Sequence, residues 1–73
     1  MTKEAILKTV HANPFRPFSL RLTDGILLAV PHPDFIAISQ GGRTAAVFGA
    51  GEEFSIVDLA LVTAIESNSA NAA

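Results

Sequence analysis

The chain has 73 residues, a formal net charge of −2 and no cysteine, and is 49% hydrophobic against 16% charged. That describes one small domain and excludes a disordered solvating segment, a disulfide scaffold and a zinc-thiolate module. Five Lys and Arg against seven Asp and Glu also exclude a strongly basic nucleic-acid module.

Reading along the chain, Thr2 is a helix N-cap, its hydroxyl placed to accept from a first-turn amide. Glu4 sits at the positive end of the helix dipole. Ile6, Leu7 and Val10 form one narrow apolar stripe, and Pro14 disfavours helical geometry at Asn13. The spacing predicts a helix over 3–12 that must dock to persist. Pro14-Phe15-Arg16-Pro17-Phe18 is an extended connector with two aromatic anchors.

Phe18, Leu20 and Leu22 alternate with Ser19, Arg21 and Thr23, the pattern of a half-buried strand. Asp24-Gly25 predicts a type I′ hairpin, which needs positive φ at both central positions. The return strand, Ile26 to Val30, is apolar on both faces. One face belongs to the core; the other, with Leu27 and Ala29, needs a cover. Pro31-His32-Pro33-Asp34 breaks the pairing, since its prolines remove donors and favour extended neighbours. Further strands are expected at Phe35–Ser39, Thr44–Phe48, Phe54–Asp58 and Val62–Glu66, with turns at Gln40–Arg43 and Gly49–Glu53 and a 3₁₀ turn at Leu59–Leu61. Residues 67–73 offer nothing to bury and read as a frayed tail after a single domain over 1–66.

The predicted fold is mainly β, or α+β by strict count. An N-terminal helix covers a curved antiparallel sheet of five to six strands or a small barrel, because the connections are too short for parallel crossovers. The expected core is Phe18, Leu20, Leu22, Leu28, Val30, Ile36, Ile38, Val47, Ile56, Val62 and Ile65, with Ile6 and Val10 from the helix. Whether Ile36 and Ile38 or Phe35 and Ala37 face inward is an even choice.

Two resemblances follow. Pro14–Phe18, Asp24-Gly25, His32–Phe35, Gly42–Thr44 and Ile56–Leu59 together resemble a group of small bacterial proteins that share these motifs, across about residues 5–66. That resemblance implies no known activity. The order of short helix, strand, Asp-Gly hairpin and closing strand–turn–strand also resembles the Sm-like (Hfq-like) barrels, a small SH3-like architecture. It implies a ring-forming binder of single-stranded RNA or DNA.

Little in the sequence assembles chemistry. His32 and Asp34 are the one close histidine–carboxylate pair; a general base would need a third group and a dry pocket. A metal site would need three or four ligands. The plainer reading is an Asx-type cap by Asp34, with His32 held at the surface between two prolines; a middle reading is a pH-sensitive edge, since histidine is the residue type that titrates near neutrality. The Gly49-x-Gly51 loop is followed by Glu52 and Glu53, which would repel a phosphate. Serines 19, 39 and 55 lie in no nucleophile motif, and Asp58 reads as a cap. No enzyme, cofactor or metal is expected.

What remains is apolar surface. Twelve of the hydrophobic residues are alanine, which leaves 24 large ones, more than so small a core encloses. We therefore expect a non-enzymatic module that forms a homo-oligomer, with Leu27, Ala29, Phe35 and Phe48 as candidate interface residues. The alternative partner is nucleic acid, contacted by Arg16, Arg21, Arg43 and His32 beside Phe15 and Phe18. No apolar run reaches the ~18–20 residues needed to span a bilayer, and Lys3 and Lys8 do not form a signal-peptide layout, so the expected location is cytoplasmic.

Overall fold

The structure is a computed structural model that describes residues 1–67. Helix α1 spans Lys3–Val10. The Thr2 hydroxyl caps it, accepting from the Ala5 amide at 3.2 Å. The predicted extension to residue 12 fails because the chain tightens at His11, where the Ala12 amide bonds the Thr9 carbonyl instead of continuing the helical ladder. Ile6 and Val10 are buried, as the stripe requires.

Six strands follow: β1 (Phe18–Leu22), β2 (Leu27–Val30), β3 (Ile36–Ile38), β4 (Thr44–Phe48), β5 (Phe54–Asp58) and β6 (Val62–Ser67). They form two antiparallel three-stranded sheets, ordered β2-β1-β6 and β3-β4-β5. The expectation of one curved sheet or a barrel is corrected here: the strands do not close into a barrel. The reason lies at Pro31–Phe35. Two prolines remove ladder donors, and Pro33–Phe35 winds into one 3₁₀ turn between β2 and β3. The chain therefore leaves one sheet before it enters the other.

The hairpin at Asp24-Gly25 also differs in type. Gly25 has φ +88°, and among the described residues none other than glycine has positive φ, so Asp24 does not adopt the I′ geometry. The Gly25 amide bonds the Leu22 carbonyl, and the Leu22 amide bonds the Ile26 carbonyl, both at 2.9 Å. That is a three-residue loop ending in a left-handed glycine. The Asp24 carboxylate accepts from the Ile26 amide at 3.0 Å and holds the turn.

The core lies where the sheets and α1 meet. Its buried members are Ile6, Val10, Phe18, Leu20, Val30, Ile36, Ala45, Val47, Leu59 and Val62. Leu22, Leu28, Ile38 and Ile65 pack against it partly buried. The even choice in β3 resolves with Ile36 inward and Ala37 exposed. Ile56 was expected inside but faces out, and Val57 takes the inward position. Leu59 and Ala45 are core residues that the alternation did not select. Leu59 lies in the expected 3₁₀ turn at Leu59–Leu61, where the Asp58 carboxylate caps the Ala60 amide at 2.9 Å.

Ser67 is the last residue of β6 and pairs with Phe18, so the strand runs one residue past the expected boundary. The rest of the expected tail, 68–73, lies outside the described residues. Among the described residues, no helix is long and apolar enough to cross a membrane.

Candidate functional site

Strand parity decides what the outer face of the β3-β4-β5 sheet carries. Ala45 and Val47 point inward, which sends Thr44, Ala46 and Phe48 outward. Register then places Phe54 opposite Phe48, Ile56 opposite Ala46, and Asp58 opposite Thr44. On the other side, Ala37 pairs with Ala46. The face is therefore apolar along most of its length and polar only at the Thr44–Asp58 end.

Its large side chains are exposed: Phe48 by 42%, and Phe54 and Ile56 by 60% each. The two phenylalanine rings pack on each other with centroids 6.2 Å apart. Together with Leu27, 49% exposed, these residues present about 400 Å² of apolar side-chain area, taking ~200 Å² for a large side chain. A shallow groove of about 200 Å³ runs between Leu27 and Ala29 on β2 and Phe48 and Phe54 on the β4–β5 hairpin. Glu53 lies at its rim.

The edge of this sheet is also open. The Gly49 amide bonds the Glu53 carbonyl, and the Leu59 amide bonds the Arg43 carbonyl. Antiparallel alternation between these points directs the Ser55 and Val57 amides at β4 and those of Phe54 and Ile56 away from it. β5 is the last strand of its sheet among the described residues. No proline or lysine interrupts it, so it lacks the usual edge protection.

Three of the four residues expected at an interface, Leu27, Ala29 and Phe48, thus line one groove. Phe35 does not join them. It packs edge-on against His32, with centroids 6.4 Å apart, in a run that continues through Phe15 to Phe18 at 6.3 and 6.0 Å. Phe54 and Ile56 were missed as surface residues. The available signal was the adjacency of Ile56 and Val57, which makes either parity of β5 apolar.

The four residues expected at nucleic acid do not converge. Arg16 lies on the connector, in a cleft beside the end of α1. Arg21 lies on β1 and donates from Nε to the Glu66 carboxylate on β6. That hydrogen bond, aided by charge attraction, holds the Glu66 carboxyl below its usual range and raises the Arg21 guanidinium above its own. Arg43 borders a separate hollow with Asp58 and Met1. His32 stands on the exposed 3₁₀ turn, where its Nδ1 accepts from the Asp34 amide at 3.1 Å. The cap at this bend is thus the imidazole, not the Asp34 carboxylate. Asp34 Oδ2 lies 3.5 Å from the same nitrogen, and both side chains are open to water.

No group of three or more His, Cys, Asp or Glu able to hold a metal occurs among the described residues. No protein-family model, no curated protein and no solved structure matches this chain.

Proposed function

We propose that this chain is a non-catalytic interaction module that associates with copies of itself through the outer face and edge of β3-β4-β5. The observation that carries this reading is the cluster of Phe48, Phe54 and Ile56, large apolar side chains that strand register sets side by side on the surface. A standard interface covers about 800 Å² per partner, somewhat over half of it apolar. With Leu27 of the neighbouring β2 included, the ~400 Å² found here approaches that apolar share, and Thr44, Asp58 and Glu53 supply a polar rim. A second copy is the occupant because face and edge together are self-complementary. An isologous contact sets the same apolar patch against itself, and the free amides of β5 find the free carbonyls of the partner's β5.

Sedimentation velocity across the micromolar range tests this. Association predicts a mass above that of one chain that falls on dilution. A single-chain mass throughout overturns the reading.

One arrangement favours a second reading, the Sm-like nucleic-acid binder. β2 and β3, taken as halves of one strand broken at Pro31–Phe35, give the strand order of such a barrel behind an N-terminal helix. Arg16 follows Phe15 in the chain, and Phe15, His32 and Phe35 form an aromatic run on which bases could stack. Gel shifts with short single strands at low salt decide it. A shift that Arg16→Ala weakens supports it, and no shift removes it.

A further inference from the structure

We propose that the cleft between the end of α1, the Asn13–Pro17 connector and the end of β6 binds a small carboxylate with an apolar body. The cleft measures about 560 Å³, within the range of small-molecule sites. Its lining is mostly apolar, with Ala12, Pro14, Phe18 and Ile65 beside a few neutral polar groups, and its charged members are Lys8 and Arg16. None of the seven acidic residues of the chain lines it. Glu66 neighbours Ile65 in sequence, but strand alternation turns it to the other face of β6, where Arg21 engages it.

The remaining side-chain cations lie outside the cleft. Lys3 donates to the Gln40 carbonyl at 2.9 Å, Arg21 pairs with Glu66, and Arg43 shares its hollow with Asp58. Lys8 and Arg16 have no hydrogen-bond or ion-pair partner among the described residues. A molecule of net charge −2 thus gathers two unpaired positive charges around an apolar hollow.

The C-terminus of α1 opposes an anion here, but only with the partial charge of a helix end. Two full charges outweigh it. The guanidinium of Arg16 matches a carboxylate with two parallel donors, and Lys8 adds a point charge. The apolar part of the lining rewards an aliphatic or aromatic body, which a bare inorganic anion lacks. This reading is independent of self-association, since the cleft and the β3-β4-β5 face share no residue.

The test is an amide-shift titration of the ¹⁵N-labelled full chain with octanoate below its micellar concentration, beside octanol and octylamine. The expected result is saturable movement of the Thr9, Ala12, Asn13 and Phe18 amides with octanoate, weaker movement with octanol and none with octylamine. Lys8→Ala combined with Arg16→Ala should weaken octanoate about tenfold while leaving the rest of the spectrum in place. Arg16→Gln, a single change on an exposed loop, should weaken it by a smaller factor. Equal response to all three probes, shifts centred on Phe48 and Phe54, or no saturation would overturn the assignment.

Discussion

Replacing Phe54 with aspartate separates the surface role of this residue from any role in folding. Phe54 is 60% exposed, so about 120 Å² of a ~200 Å² side chain is free to be covered by a partner. At ~25 cal/mol per Å² that area is worth up to ~3 kcal/mol for each copy. An isologous contact holds two such side chains, and the substitution also sets two carboxylates facing each other. A loss of at least ~2 kcal/mol per dimer, about thirtyfold in the dissociation constant, is therefore expected. Within the subunit, Phe54→Asp forfeits its ring contact with Phe48, worth about 0.5–1.5 kcal/mol, and the cover on the other ~80 Å² of the side chain, worth up to ~2 kcal/mol. A domain of this size holds ~4–11 kcal/mol in all. The thermal transition followed by circular dichroism should thus remain cooperative while sedimentation shifts to the single chain. An assembly of unchanged mass, with the fold intact, would refute the reasoning.

Other perturbations probe the fold that presents this face. Leu20→Ala, at a fully buried position, should cost ~2–5 kcal/mol in urea unfolding. Ile56→Ala should cost under ~1 kcal/mol for the isolated chain, because the side chain is largely outside the core; equal losses would contradict the assigned parity of β5. Gly25→Ala meets no neighbouring atom yet forces φ +88° on an alanine, so a loss of about 1 kcal/mol from backbone strain alone is expected in the same assay. Glu66 is held below its usual carboxyl range by Arg21, and the stability this confers is present above the unfolded-state value and lost as pH falls through the folded one. A carboxyl NMR titration should find Glu66 titrating below the usual glutamate range, and Arg21→Gln should move it back toward that range. Because both side chains are half exposed, the melting temperature should respond only weakly.

Much of the fold was legible because local chemistry and tertiary packing agree. Thr2 and Pro14 bracket α1, the alternation from Phe18 to Leu22 marks β1, and Asp58 caps the turn that buries Leu59. Parity was the weak point. Period two names the two sets of residues in a strand, but it selects the buried set only when one set is polar. In β5 both sets hold a branched apolar residue, and the side that met the core was fixed by its register with Ala45 and Val47. The same ambiguity hid Phe54 and Ile56 from the surface, while Leu27, Ala29 and Phe48 were readable as a face without a cover. The Lys8–Arg16 cleft left no local sign. Its two cations are eight positions apart, and only the chain reversal after α1 sets them around one hollow.

The most direct trial of self-association through this face is an isotope-filtered nuclear Overhauser experiment on a mixture of labelled and unlabelled chains. Cross-peaks between the Ile56 methyls of one copy and the Phe48 or Phe54 rings of another are predicted. Their absence from a sample in which the chains are associated, or contacts mapping to a different surface, would contradict the account.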